Sequence, residues 1–366
     1  MLTRLYVDNF RCFVNFECRF DGNKQLILGR NGSGKTSLSE VLSLLRKFAI
    51  AGKTDVNSLT GQADWFENQQ IFEVEASIQS DSYIYRLVIE FSKEGSEFLV
   101  KSETVHCGQT PLFEFIDGQV HLYNDLFEPS IYPFNPYQSA LATVSGSLGI
   151  TRLIRFKNWF NRLTCFKLNP LVPPMSAARS EQAFPEVDLS NFVEWYLHLE
   201  HIYSAEVPAL FKDLGAAIDG FRSLVFRGVG GGIHILFVEF DSPSKGTVEL
   251  VFDHLSDGQR CLVYLYTILR FVVAKGGTVV IDEPENFLAL REIQPWLMAL
   301  TDTLDEGQGQ AILLSHHPEL INQWAFNHGI QLVRDGAGPV RAQKLAEGLE
   351  YALPAAELVA RGWELE

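Results

Sequence analysis

Gln25-Leu26-Ile27-Leu28-Gly29-Arg30-Asn31-Gly32-Ser33-Gly34-Lys35-Thr36-Ser37-Leu38 is the stretch whose reading decides the fold. Gly29 to Thr36 satisfies every fixed position of the phosphate-binding pattern G-x-x-x-x-G-K-[ST]. The apolar run Gln25 to Leu28 reads as a short buried strand. Thr36 to Phe48 reads as a helix with Leu38, Val41, Leu42 and Leu45 on one face. The chemistry needs this order. Glycines let consecutive backbone N–H groups converge on an anion. The helix start adds its partial positive charge. Lys35 is placed to reach the outer phosphates and the Thr36 hydroxyl to bind Mg²⁺.

The bulk numbers fit a globular chain with room for a large core. It has 366 residues, 46% of them apolar and 20% charged, which argues against disorder. No apolar run reaches membrane-spanning length, and the first residues alternate like a strand, not like a signal peptide. The five cysteines, Cys12, Cys18, Cys107, Cys165 and Cys261, have no metal or redox spacing and read as reduced cytoplasmic thiols. A net charge of −15 argues against a general nucleic-acid coat, while leaving room for a local basic patch.

Outward from the loop, Leu2 to Phe10 and Phe16 to Phe20 read as strands. Alternating runs follow from Phe72 to Tyr123, with turns at Ser80-Asp81-Ser82 and Asp117-Gly118, and these predict an antiparallel meander. Gly52 to Asn68 reads as a polar loop and Pro129 to Pro136 as a proline-broken linker. Helical spacing is expected over Arg152 to Leu168 and Leu189 to Ile218. Strands are expected at Leu224 to Arg227, Ile233 to Phe240 and Val248 to Phe252. Helices at Asp257 to Ala274 and Ile293 to Leu304 then alternate with strands at Thr278 to Ile281, Ala311 to Leu314 and Ile330 to Val333, the pattern of a largely parallel sheet. This gives an α/β chain in three segments. Residues 1–137 form an N-terminal lobe, 138–222 a helical insertion and 223–366 a C-terminal lobe.

Four further pieces carry chemistry. Thr278 to Glu283 ends an apolar strand in two carboxylates, so Asp282 can hold a metal shell and Glu283 can orient water. Leu255-Ser256-Asp257-Gly258-Gln259 opens a helix with an N-cap serine. A strand delivers Ser315-His316-His317-Pro318, either histidine of which could face the site. Asn9-Phe10-Arg11 puts an arginine either over the nucleotide or on the surface.

In this order and spacing the set resembles the ATP-binding-cassette (ABC) ATPase superfamily. The runs Asn9-Phe10-Arg11-Cys12-Phe13 and Ile281-Asp282-Glu283-Pro284-Glu285-Asn286-Phe287-Leu288 are similar to its RecF/SMC/OLD branch. The resemblance implies an ABC-type ATPase head: a mixed sheet with a parallel core, an antiparallel β subdomain and a helical insertion. It implies ATP and Mg²⁺ as ligands. Arg11, Asn31, Gly32, Ser33, Gly34, Lys35, Thr36 and Ser37 would contact nucleotide, and Thr36 and Asp282 the metal. Lys35, Glu283 as catalytic carboxylate and His316 as switch histidine would act in hydrolysis. Ser256 and Gly258 would act on the γ-phosphate of a second copy, in a nucleotide-sandwich dimer. The metal- and water-linking glutamine of the branch is assigned to Gln138, with Gln79 as rival. Asp257 stands where the signature usually has glycine, and Ala289-Leu290 where many small members of this branch carry His-Pro. OLD-type nucleases add a metal-binding domain and SMC proteins add long heptad arms, and neither pattern is read here.

The expected function is Mg²⁺-dependent ATP hydrolysis controlling a separately encoded effector, as in prokaryotic phage defence. The alternatives are a RecF-like DNA-repair ATPase and a nucleotide-gated binding module with slow turnover. The partners expected are a second copy and an effector protein, with nucleic acid possible and no membrane. The stretch Thr151 to Leu168 has no acidic residue and carries Arg152, Arg155, Lys157, Arg162 and Lys167. It reads as an amphipathic helix with a solvated basic face, or as a docking face for an acidic partner or nucleic-acid backbone.

Overall fold

The computed structural model describes residues 1–52, 68–91, 98–146, 149–171, 176–244, 246–307 and 309–345. The polar loop expected from Gly52 to Asn68 falls almost wholly outside them. Contacts group the chain into two units, Met1–Thr164 with Trp324–Glu366, and Cys165–Gln323.

The first unit is built on an eight-stranded antiparallel sheet. Its order is Phe16–Arg19, Leu2–Asp8, Gln69–Ile78, Asp81–Phe91, Phe98–Cys107, Thr110–Ile116, Gln119–Tyr123 and Pro129–Pro133. The alternation seen in the sequence sets its register. Phe72 lies opposite Leu87, Val74 opposite Tyr85 and Ala76 opposite Tyr83, all with no solvent exposure. Helix Thr151–Asn161 covers part of this face, and Phe156 stacks on Tyr83 and Tyr85 at 6.0 and 6.1 Å. The same unit holds a parallel pair, Lys24–Leu28 with Gly329–Arg334, extended by the antiparallel strand Val340–Lys344. Helix Lys35–Ala51 leaves from the end of Lys24–Leu28 and closes at Gly52, whose N–H donates to Phe48 O at 2.9 Å.

The second unit holds the parallel pair Thr278–Asp282 and Gln310–Leu314, with all ten residues buried and Asp282 opposite Leu314. Such continuous apolar strands are the mark of a sheet covered on both faces. The crossover between them is helix Leu290–Asp305, and Trp296 Nε1 donates to Leu265 O on helix Asp257–Phe271 at 3.2 Å. Strand His234–Ser242 pairs antiparallel with Phe221–Gly228, Gly246–Val251 and Ala177–Ala178.

Four expectations are corrected. Pro129–Pro133 is an edge strand and not a linker, with its two prolines at the ends, opposite Tyr123 and Gln119, where a missing N–H is tolerated. The helix expected through Leu168 stops at Asn161. Leu163–Lys167 is a strand, as its run of buried β-formers Leu163, Thr164, Cys165 and Phe166 requires. The helix expected from Leu189 to Ile218 is two, Phe192–Ile202 and Val207–Ala217, with Pro208 in the first turn of the second. The helix from Asp257 ends at Phe271, and Val273–Lys275 is a 3₁₀ turn.

Candidate nucleotide site

The phosphate loop belongs to the first unit. Ser33 N–H donates to Arg30 O at 3.1 Å, curling the loop, and Gly34 is the N-cap of helix Lys35–Ala51 with φ 99°. That left-handed turn suits glycine, and space forbids a side chain as well. A Cβ at Gly34 would lie 3.1 Å from Cys12 Sγ and 3.2 Å from Val340 Cγ2. The helix therefore opens with its first-turn N–H groups directed at the curl. Lys35 is 7% exposed, and its Nζ donates to Gly29 O at 2.6 Å and Arg30 O at 3.4 Å, which holds the cation inside the loop. Thr36 and Ser37 fall in the first helical turn, both half-buried, while Asn31 and Gly32 are exposed on the outer curve.

Three other residues named from sequence also lie in this unit. Arg11 sits in a tight turn with φ 51°, paired with Glu40 of the loop helix and 5.3 Å from the Phe10 ring. Gln138 is half-buried just before Ser139, whose N–H donates to Gly52 O at 3.0 Å, at the end of the 17-residue helix Lys35–Ala51 remote from Thr36. The two ends lie about 25 Å apart at 1.5 Å per residue, so the assignment of Gln138 to the metal is corrected. Gln79 and Ser80 form a hairpin turn with φ 51° and 72°. A pocket of about 320 Å³ lies between residues 30–33 and 331–336. Arg334 walls it, donating to Gly32 O at 3.2 Å and Gly338 O at 2.7 Å. Sequence reasoning missed Arg334. The apolar strand before it gave no hint of a return to the loop.

The acidic strand end belongs to the second unit. Asp282 is the last residue of its strand and 4% exposed, and Lys167 Nζ is 3.7 Å from its Oδ2. Glu283 follows in the left-handed region at φ 51°, anchored by its N–H to Leu314 O at 2.8 Å. Such a conformation costs a non-glycine residue about 1–3 kcal/mol and persists only where its surroundings impose it. Asn286 Nδ2 donates to Glu283 Oε2 at 2.7 Å, and His316 Nδ1 is 3.6 Å from Glu283 Oε1. His317 turns elsewhere, its Nδ1 accepting Glu319 N–H at 3.2 Å. Of the two histidines, His316 is the one beside the carboxylate.

Glu285, also missed from sequence, fastens this loop. It is 7% exposed and accepts from Ser315 Oγ at 2.5 Å, while Ser315 Oγ accepts from His317 N–H at 2.9 Å. Burial raises its carboxyl above the ordinary range, and the Ser315 hydrogen bond offsets part of that. Nothing in its spacing separates this buried latch from a surface glutamate.

Ser256 caps helix Asp257–Phe271 in a full capping box. Its Oγ accepts from Gln259 N–H at 3.3 Å, and Gln259 Oε1 accepts from Ser256 N–H at 3.1 Å. A Cβ on Gly258 would lie 3.0 Å from Phe287 O, so the signature glycine lets the helix approach the acidic loop. Asp257 Oδ1 accepts from Arg260 at 2.5 Å.

Residues 26–322 match the family described as "AAA domain, putative AbiEii toxin, Type IV TA system". The chain belongs to this AAA-domain family. Among curated proteins, the DNA replication and repair protein RecF of Leptospira biflexa serovar Patoc is 28% identical over 92 residues, 25% of this chain. The match spans about a quarter, 24%, of that relative's length. Among solved structures, the SmcHead bound to the C-winged helix domain of ScpA has a TM-score of 0.52 at 12% identity, covering 94% of this chain and 98% of that one. The Smc head domain with an extended coiled coil, bound to the C-terminal domain of ScpA from Pyrococcus furiosus, has a TM-score of 0.56 at 9% identity, covering 94% and 96%. The fold is therefore that of the Smc head domains. No helix among the described residues is long and apolar enough to cross a membrane.

Proposed function

We propose that this AAA-domain chain hydrolyses ATP with Mg²⁺ and uses the cycle to control a separately encoded effector protein. The observation that carries the reading is Glu283. A carboxylate held in a strained backbone conformation beside a buried aspartate, with Asn286 and His316 at its two oxygens, supports a role in orienting and deprotonating water. Lys35 and the N–H groups from Gly32 to Lys35 would bind the β- and γ-phosphates, with Asn31, Ser33, Gly34 and Ser37 completing the cradle and Arg11 beside it. The Thr36 hydroxyl and the Asp282 carboxylate would hold Mg²⁺. Both are hard oxygen donors, which suit that ion, and when bound it would neutralise developing phosphate charge. Glu283 would take the proton of the attacking water, and His316 would contact the γ-phosphate and hold Glu283 in place. Ser256 and Gly258 would complete the site of a second copy, so turnover requires a two-fold dimer.

Residues 138–222 would act as the insertion that passes closure to the effector. Membership of a family described by a toxin–antitoxin system supports an effector and a role in phage defence. A second reading, a DNA-repair ATPase, is favoured by the RecF likeness. ATP turnover by the parent and Lys35→Ala, with and without duplex DNA, tests both. Turnover that is lost in Lys35→Ala and indifferent to DNA supports the first reading, and a several-fold DNA stimulation supports the second. Parent and variant turning over alike would refute both.

A further inference from the structure

Arg334 ends the strand Gly329–Arg334 and reaches back to the phosphate loop, more than three hundred residues earlier in the chain but in the same unit. All three nitrogens of its guanidinium are in use. Nε donates to Gly338 O at 2.7 Å, Nη2 to Ala337 O at 3.2 Å and Nη1 to Gly32 O at 3.2 Å. The first two partners belong to the turn that follows Arg334 itself, closed by Gly338 N–H on Asp335 O at 2.8 Å. The turn therefore aims the planar fork, and the third bond lands on the loop. Among the described residues the hydrogen-bond partners of Arg334 are backbone carbonyls and not carboxylates, so its positive charge stays beside the loop.

The bond to Gly32 falls where the loop is softest. Gly32 has φ 81° and Gly34 φ 99°. These left-handed glycines give the loop its curl, and they also make its peptides easy to rotate. The peptide from Gly32 to Ser33 lies between them, and Arg334 holds its carbonyl outward. In a loop whose N–H groups converge on an anion, outward carbonyls are the complement of inward N–H groups. Lys35 fastens the start of the same loop through Gly29 O and Arg30 O.

The strand that returns after Arg334, Val340–Lys344, holds the neighbouring turn. Val340 N–H donates to Cys12 O at 3.1 Å and Arg341 Nη1 to Val14 O at 3.1 Å, on either side of the turn that carries Arg11. The two strands thus clasp both the loop and that turn.

We propose that Arg334 is a positioning residue that holds the Gly32–Ser33 peptide so that the phosphate loop is preformed for the phosphates of a nucleotide. This rests on the reading of the chain as an ATPase. The role needs the guanidinium fork and not charge alone, because the point charge of a lysine cannot hold the two turn carbonyls and Gly32 O together.

The test is nucleotide binding by the full chain as parent, Arg334→Lys and Arg334→Ala. Affinity for a fluorescent ATP analogue is measured in Mg²⁺ on proteins shown to be folded by circular dichroism, beside urea unfolding without nucleotide. Arg334→Lys keeps the aliphatic stem and the charge, and it carries the test should Arg334→Ala fail to fold. Both variants are expected to lose affinity on the order of tenfold, the worth of one hydrogen bond from a charged group. Either variant binding like the parent would overturn the inference. Arg334→Lys doing so would mean that charge suffices. Arg334→Ala doing so with a lowered urea midpoint would mean that the contact only stabilises the fold. A parent that binds no nucleotide would defeat the ATPase reading and this inference with it. A parent that binds normally beside variants that match it would defeat the inference alone.

Discussion

Glu283 and Gly258 show how single residues shape the second unit. Glu283 pays for its left-handed backbone with two anchors, its own N–H on Leu314 O and the Asn286 amide on its carboxylate. Gly258 is small because Phe287 O leaves no room, a Cβ there having its nearest heavy atom at 3.0 Å. Two effects compete in Gly258→Ala. Helix propensity would gain about 0.5–1 kcal/mol, and overpacking against a backbone carbonyl would cost about 1–3 kcal/mol. The clash wins, so the variant should melt lower than the parent without nucleotide, and it should turn over more slowly because Phe287 lies in the Glu283 loop. A variant that melts higher with full turnover would show that the approach is slack.

At the scale of elements, the phosphate-loop strand and helix, the meander and the two parallel strands of the second unit were legible because their hydrophobic periods are unambiguous. Thr278–Asp282 and Gln310–Leu314 are buried at every position, as their continuous apolar runs require. The misreadings share one cause. Leu163–Lys167 continues the helical spacing of Leu153, Phe156 and Phe160, and only tertiary burial makes it a strand. Strand Val340–Lys344 was not read at all, since its outward arginine, glutamine and lysine hide a single buried valine. The basic face of Thr151–Asn161 was legible as charge but not as structure. Arg155 pairs with Asp81 at 3.0 Å, Lys157 Nζ donates to Leu141 O at 2.7 Å and Arg152 lies 5.5 Å over the Phe127 ring. These contacts favour the plain amphipathic helix over a docking face.

Glu103, with no solvent exposure and accepting from Tyr85 O–H, Ser139 O–H and the N–H groups of Ala140 and Leu141, makes an element-scale prediction about pH. Burial raises the Glu103 carboxyl above its ordinary 4.5. A raised value in the folded state means that this group favours folding fully below 4.5 and loses that advantage as pH climbs through its folded value. Glu103→Gln does not titrate and sets an amide N–H against the converging donors, a loss of about 1–3 kcal/mol. In urea unfolding, the parent's advantage over Glu103→Gln should therefore narrow from pH 5 to pH 8. An advantage that widens would mean the carboxylate is stabilised by its donors more than burial penalises it.

At the scale of the whole molecule, the proposed cycle needs two copies. The signature residues Ser256 and Gly258 serve a γ-phosphate only if a partner presents one, and an isologous dimer satisfies both copies at once. Light scattering on Glu283→Gln should show a dimer with ATP and Mg²⁺. A monomer at micromolar concentration with nucleotide bound would refute the sandwich. A net charge of −15 sets a background that repels nucleic acid, so any DNA response has to come from a local surface.

Hydrolysis through Glu283 is tested most directly by comparing ATP turnover in the parent and Glu283→Gln, with ATP affinity measured on the same preparations. Phosphoryl transfer depends on positioning and charge stabilisation, so losing the carboxylate should lower turnover by about 10²–10⁴-fold while leaving ATP affinity near the parent's. A Glu283→Gln chain that binds ATP and hydrolyses it at the parent's rate would contradict the account.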